Sequence, residues 1–315
     1  MRHLLIAITL SAATTVEAKE ITVNKESCSQ ANVYCDIQSA INAAKPDDVV
    51  TLKAGEYELW QESIAIDKSL TLQGESAENT VLLGEGKAPE ALINISSDAE
   101  QVVLKRLTIQ NRIVAGSPAM GPGGLDHKGG DLMLDGVVFQ GNRGGWGGAV
   151  RIDTLFGTVD IQNSRFVGNT GFAGGGIAVY NGSALELSIV NTEFRNNNAI
   201  FSGGAFLMRD VADAVLQNLT VVENSAGNTG GGGHVFTDVG STQVIIEDST
   251  FSANDAARVG GLSSFGSNVS LELVNSTLTE NLSRNSELQP DCAGVGIVVG
   301  KLTTLTQTGS CATKE

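Results

Sequence analysis

Short strand-like runs recur along the chain: "LML" at 132–134, "VDI" at 159–161, "LSI" at 187–189, "AVL" at 214–216, "VII" at 244–246 and "LEL" at 271–273. Each is followed by a large apolar position with an Asn three residues later, in "FQGN" 139–142, "FVGN" 166–169, "FRNN" 194–197, "VVEN" 221–224, "FSAN" 251–254 and "LTEN" 278–281. The closing asparagines are 27, 28, 27, 30 and 27 residues apart. A glycine pair follows five of them, in "GGAV" from 147, "GGGI" from 174, "GGAF" from 203, "GGGG" from 230 and "GGL" from 260, and "CAGVGIVV" at 292–299 reads as an eroded last copy. Three short strands per unit, separated by Gly/Asn turns with no helix-length segment between them, predict an all-β repeat architecture.

A period near 27 residues is too short for a propeller blade and lacks the leucine-rich frame. It fits one coil of a parallel β-helix, stacked on the next at about 4.8 Å. Phe139, Phe166, Phe194 and Phe251 are then expected to stack inside the solenoid, with Val221 and Leu278 continuing the column at smaller volume. Asn163, Asn191, Asn218 and Asn275, with Asp248 substituting once, precede the aromatic position by three residues, where the coil turns sharply and left-handed backbone is needed. Asn142, Asn169, Asn197, Asn224, Asn254 and Asn281 are expected to form a second ladder at the next corner, their amides bonding from coil to coil.

Upstream, "VVTLKAGEY" (49–57), "IAIDKSLTLQG" (64–74), "TVLLGEG" (80–86), "ALINI" (91–95) and "VVLKRLTIQN" (102–111) supply less regular coils, for a total of about eight or nine. Before them, "CDIQSAINAAKPDD" places Ile37, Ala40, Ile41 and Ala44 on one face of a short helix with Asp36 as N-cap, suited to covering the open end of the first coil. The segment 112–131 breaks the rhythm and reads as a loop projecting from the solenoid. The expected organisation is a signal peptide over 1–18, a cap over 19–48, a β-helix over 49–300 carrying the 112–131 loop, and a C-terminal cap or tail over 301–315.

The signal peptide rests on Arg2, the apolar run from Leu4 to Leu10 and the small residues around Ala18. It implies a secreted, periplasmic or cell-surface protein, and no later segment is apolar enough to span a membrane. The formal charge is −15, which disfavours nucleic acid as a partner. Four cysteines form two sequence-local pairs, Cys28 with Cys35 and Cys292 with Cys311, each able to close a disulfide in an oxidising compartment.

The FxxN units paired with GGA-type segments resemble the repeat of polymorphic outer membrane proteins and of right-handed β-helix proteins in the pectin-lyase-like superfamily. The start "CDIQSAINAAKPDDVVTLKAGEYE" is similar to that of secreted β-helix proteins opening on a CSLREA-type motif, with Cys35 and Ala40-Ile41 matching and Asp36, Gln38 and Ser39 departing. The resemblance spans about residues 32–300. It implies a single-stranded right-handed parallel β-helix, a fold that hosts polysaccharide lyases and hydrolases as well as adhesins and surface proteins.

No complete enzymatic set is visible. An inverting glycosidase needs two carboxyl groups and a β-eliminating lyase a base, commonly Arg or Lys. The one Asp-Asp pair, Asp47-Asp48, lies at the cap-to-coil junction, and His127 and His234 have no metal-ligand companions in the sequence. Laying out the strands after the glycines puts Arg151/Asp153, Ala178/Tyr180, Leu207/Arg209, His234/Phe236 and Ser264/Gly266 outward. Arg151, Asp153, Tyr180, Arg209, His234 and Phe236 thus form the candidate ligand-binding strip, since aromatic faces cover sugar rings while charged groups bond to hydroxyls. The bland reading packs Tyr180 and Phe236 beneath the 112–131 loop. In that loop Asp126 and Asp131 are candidate Ca²⁺ ligands, and His127 with Lys128 would face a substrate across the coils. The leading expectation is a non-catalytic surface, envelope or carbohydrate-binding scaffold of adhesin type, with no catalytic residue and no cofactor beyond possible Ca²⁺. The alternative is a lyase or hydrolase acting on an acidic polysaccharide along the same face.

Overall fold

The computed structural model describes residues 18–59, 62–84, 91–111, 123–266, 268–285, 292–295, 297–299 and 312–314. The six strand-like runs become consecutive neighbours in one sheet, over Asp131–Asp135, Phe156–Gln162, Ala184–Val190, Asp213–Gln217, Thr242–Glu247 and Val269–Val274. All pairings between strands are parallel among the described residues, and the chain winds as a right-handed parallel β-helix. Its faces are a first sheet of twelve strands, a second of nine and a third of ten, in the order the chain meets them in each coil.

A fourth sheet was not expected. Its five strands are two residues each, such as Thr170–Gly171 and Asn198–Ala199, and directly follow the closing Asn of the second-sheet strand. Buried Ala199, Ala226 and Ala256 stack there, small enough to line a tight corner.

The second sheet carries the aromatic column. Phe139, Phe166, Phe194, Val221, Phe251 and Leu278 are partners in register, and all are fully buried. Phe139, Phe166 and Phe194 stack face to face, with centroids 5.0 and 4.8 Å apart and planes within 9°. Parallel pairing without slip puts like side chains above one another, so coil-to-coil stacking builds the core.

The two asparagine ladders differ in kind. Asn142, Asn169, Asn197, Asn224, Asn254 and Asn281 are buried, and each amide Nδ2 of the first five donates to the Oδ1 of the next at 2.9 Å. Asn163, Asn191, Asn218, Asp248 and Asn275 instead have φ between 48° and 53°, the left-handed turn expected of them. The glycines at 147, 174, 203 and 230 share φ of 66–73°, and a side chain there would also strike the carbonyl three residues on.

At the N-terminal end, the helix over Ile37–Ala43 is capped by Asp36, whose Oδ1 accepts from the Ser39 amide at 2.8 Å, and it buries Ile37, Ala40 and Ile41. Strands Glu20–Val23 and Val33–Tyr34 extend the first sheet below Val49–Leu52, so the cap is continuous with the solenoid. Buried Asp48 holds this junction by accepting from the Lys19 and Lys45 amides, both at 2.8 Å. Cys28 and Cys35 are disulfide-bonded with Cα atoms 5.2 Å apart. The Cys292–Cys311 pairing lies outside the described residues, as does most of 301–315; within that tail, Ala312–Lys314 pairs as a strand with Cys292–Val295 in the third sheet.

The reading of 112–131 as one projecting loop needs correction. Residues 112–122 lie outside the described ones, but Leu125–His127 is a third-sheet strand paired with Ile93–Ile95 and Val150–Ile152, and Asp131 opens a first-sheet strand. The coil rhythm resumes at Gly123, and strand alternation then governs which side chains face the core. No helix among the described residues is long and apolar enough to cross a membrane.

Candidate functional site

The site is built on the outer surface of the third sheet. In each strand the residues flanking the central inward one point outward, and parallel register aligns them in two rows. One row runs Asp126, Arg151, Ala178, Leu207, His234 and Ser263. The other runs Asp153 and Tyr180, then Arg209, Phe236 and Phe265. The outward register expected from the sequence holds over the first four coils, but Ala178, Tyr180 and Leu207 are buried there in a small apolar cluster with Ala173, against which Phe236 packs. In the fifth it is shifted by one residue: Ser263 and Phe265 are the register partners of His234 and Phe236 in the outward rows, whereas Ser264 pairs with inward Val235. Val259 occupies the place that glycine holds in the other coils, so Gly260 is a frame later than its appearance in the glycine pair implies.

Arg151, Asp153, Tyr180 and Arg209 line one cavity of about 220 Å³, together with Trp146 and Asn181. Asp126 fixes the Arg151 guanidinium as a fork, with Nε donating to Oδ1 at 2.8 Å and Nη2 to Oδ2 at 2.7 Å. Such a bidentate, largely buried pair orients the cation and keeps it charged. Asp153 accepts from Asn181 Nδ2 at 3.0 Å. Arg209 is held by Asp238 at 2.7 Å and lies over the Phe236 ring at 5.7 Å.

Tyr180 sits at the base of this cavity, only 8% exposed, with Trp146 edge-on to its ring at 4.7 Å. Its hydroxyl is buried and has no hydrogen-bond partner among the described residues. Burial pushes the phenol pKa up, and so keeps the proton in place as a donor. His234 and Phe236 flank the cavity rather than line it. Their rings stack at 5.2 Å, His234 Nδ1 lies 2.8 Å from Ser263 Oγ, and burial pushes the imidazole down to about 4.

The candidate metal ligands do not converge. Asp126 faces out from the third sheet with both oxygens engaged by Arg151, and Lys128 is 3.1 Å from Oδ2. Asp131 belongs to the first sheet, where Oδ1 accepts from the Thr158 amide at 2.8 Å. Among the described residues no group of three His, Cys, Asp or Glu is arranged to hold an ion. His127 does not face a substrate either. As the third residue of a strand whose first and third positions point inward, it is fully buried in the column between Ile95 and Ile152.

Sequence reasoning missed Trp146, Phe172 and Phe201, which precede the left-handed glycine by one or two residues in three successive coils. Trp146 meets Phe172 at 5.7 Å, and Phe172 stacks on Phe201 at 6.0 Å, all three rings partly open to solvent. Aligning the residues between the closing Asn and the glycines would have shown this row.

No protein-family model matches the chain and no curated protein matches it, so the likeness of its FxxN and GGA units to the polymorphic outer membrane protein repeat remains one of motif. Among solved structures, the chain is similar to the pectin methylesterase PemA from Erwinia chrysanthemi, with 12% identity, 96% of this chain and 94% of that chain covered, and a TM-score of 0.47. It is similar to the pectin methylesterase from carrot at 11% identity, with 92% and 90% covered and a TM-score of 0.48. A PL6 family alginate lyase, AlyGC, gives 14% identity and a TM-score of 0.43, with 95% of this chain and 39% of that chain covered. The likeness is one of overall course, and no residue's role is carried over from it.

Proposed function

We propose that the protein is an exported polysaccharide-binding β-helix that holds its ligand on the outer face of the third sheet, around Trp146, Arg151, Tyr180 and Arg209. The observation that carries this reading is the buried, unpartnered Tyr180 hydroxyl at the base of a cavity walled by an aromatic ring and two guanidinium groups. Leaving a hydroxyl buried without a partner costs free energy, and a ligand oxygen supplies the missing bond. Trp146 offers an apolar edge for a sugar face, while the fixed guanidinium groups reach hydroxyl or carboxylate oxygens. Export through removal of residues 1–18, a destination in the periplasm, the medium or on the cell surface, adhesin-like use of the scaffold and kinship with polymorphic outer membrane protein repeats belong to the same proposal.

A second reading, a lyase or hydrolase acting on an acidic polysaccharide at this face, is favoured by one observation: Asp153 shares the cavity with both guanidinium groups. A carboxylate beside two anion-neutralising cations has the elements of proton transfer at a uronate. Calorimetric titration with polygalacturonate, alginate and a neutral glucan tests the binding reading. Binding of at least one, weakened about tenfold or more by Trp146→Ala and by Arg209→Gln, is the expected result. Absence of binding to all three, or indifference to both substitutions, overturns it. New absorbance at 235 nm, or new reducing ends, during incubation adds the enzymatic reading.

A further inference from the structure

The cations around the Tyr180 cavity are already paired. Arg151 holds Asp126 through both Nε and Nη2, and Lys128 lies 3.1 Å from the same carboxylate. Arg209 reaches Asp238 through Nη2 at 2.7 Å and Asp210 through Nε at 3.4 Å. Asp153, which lines the cavity, has no cation in ion-pair contact among the described residues and accepts only from the neutral amide of Asn181. Four carboxylates, Asp126, Asp153, Asp210 and Asp238, thus surround the site against three cations, Arg151, Arg209 and Lys128, and the unbalanced charge is in its wall. The chain as a whole carries −15, so no wider positive field offsets it. Asp153 and Tyr180 are register partners on adjacent strands. An entering ligand therefore meets two neighbouring groups free to bond it, a negative acceptor at Asp153 and the neutral Tyr180 hydroxyl, which has no partner among the described residues.

We propose that Asp153 makes this cavity selective for an uncharged sugar unit and turns a uronate away. The inference rests on the glycan-binding reading and narrows it to one class of ligand. A neutral pyranose carries adjacent hydroxyls, each both donor and acceptor. One donates to the Asp153 carboxylate and its neighbour accepts from the Tyr180 hydroxyl, while the ring lies along Trp146. A uronate can accept from Tyr180 too, but it brings its own charge against Asp153 in a site partly withdrawn from water, where like charges repel more strongly than in bulk solvent. The guanidinium groups do not cancel that repulsion. Drawing Arg151 to the uronate takes it from Asp126, which is 4% exposed and would lose its bidentate partner.

Calorimetric titration of the full chain with matched pairs of polysaccharides tests the selectivity. Polygalacturonate and alginate are each compared with the same polymer after reduction of its carboxyl groups to alcohols, and a neutral glucan with its product of oxidation at C6 to the uronate. In whichever pair binds, the neutral member is expected to bind about tenfold or more tightly than the charged one at low salt. The gap should narrow in about 1 M salt, where charges are screened within about 3 Å. Asp153→Asn keeps the shape of the side chain and an acceptor oxygen for Asn181, so its unfolding midpoint is expected to match the parent, and it should close the gap by strengthening the charged member. Tyr180→Phe should instead weaken both members alike. Equal or tighter binding of the charged member, or a gap that survives Asp153→Asn, overturns the inference and leaves the binding reading in place. Absence of binding by every member removes the binding reading itself, and the inference with it.

Discussion

The ring of Phe206 occupies the space above Gly233, its register partner in the next coil: a Cβ built on Gly233 would lie 2.3 Å from Phe206 Cζ and 2.4 Å from Cε2. This ring fills the gap left where the aromatic column narrows to Val221. It packs edge-on against Phe194 at 6.0 Å and Phe251 at 6.2 Å, so a residue of the third sheet replaces the one missing from the second. Gly233→Ala is therefore expected to overpack the core by about 1–3 kcal/mol, read as a lower denaturant midpoint at unchanged slope. Phe206→Leu in the same chain is expected to recover part of that loss. Additive losses in the double variant would show that the two positions are uncoupled.

Asn197 and Asn191 look alike in sequence and should behave differently when truncated. Asn197 donates to Phe166 O at 2.8 Å and to Asn224 Oδ1 at 2.9 Å, and its Oδ1 accepts from the amide and the side chain of Asn169. Asn197→Ala strands several buried groups and is expected to cost about 4 kcal/mol. Asn191 is exposed, with φ of 50°, and among the described residues its side chain makes only solvent-facing bonds, a long 3.4 Å donation to Asn163 Oδ1 and a 2.7 Å bond accepted from Asn218 Nδ2. Asn191→Ala is expected to cost about 1 kcal/mol, from the left-handed backbone, and Asn191→Gly almost nothing. Chemical denaturation of the three variants distinguishes a buried bonded ladder from an exposed one held mainly by backbone conformation, and equal losses at 191 and 197 would contradict the assignment.

Acid should weaken the fold through two desolvated imidazoles, His127 in the core and His234 on the outer face of the third sheet. His127 is buried with Nε2 2.9 Å from Gly130 O and Nδ1 unpartnered, and desolvation pushes its pKa from 6.5 down to about 4. His234 is pushed down to the same range, also by desolvation. Between those values the unfolded chain binds protons that the folded chain refuses, so stability falls as pH drops from about 6.5 towards 4 and is insensitive to these groups above it. Each contributes up to about 3 kcal/mol once the window has been crossed. His127→Leu is expected to flatten the decline of unfolding free energy over this range, and a decline as steep as in the parent would assign the acid sensitivity elsewhere.

The fold was legible because coil-equivalent residues face the same local demands. Left-handed turns select Asn163, Asn191 and Asn218, and register then stacks Phe139 on Phe166. What escaped the sequence reading depends on relations between coils or on broken frames. Val259 stands where glycine was expected and moved the outward assignment by one residue. The strand at Leu125–His127 follows an insertion that hides its rhythm, so His127 was assigned to a loop although alternation buries it. The site was half legible: the row from Arg151 and Asp153 to Arg209 follows from strand alternation, whereas Trp146 enters from a turn row, with Phe172 and Phe201, whose offset from the glycine changes by one residue between coils. The pairing of Asp126 with Arg151 became readable only once both lay on adjacent strands.

Tyr180→Phe separates a ligand-binding hydroxyl from a structural one. With no protein partner to lose, the phenol oxygen contributes only its desolvation penalty to the free protein. Its removal is therefore expected to leave the unfolding free energy unchanged or raise it by about 1 kcal/mol, while the ring keeps its contact with Trp146. If the hydroxyl meets a sugar oxygen in the complex, the same substitution should weaken polysaccharide binding by about tenfold or more, because that oxygen then enters the cavity unpaired. Stability and affinity should thus move in opposite directions, which a packing role for Tyr180 does not produce. Thermal unfolding and calorimetric titration of the same preparation measure both, and an unchanged affinity would remove Tyr180 from the site.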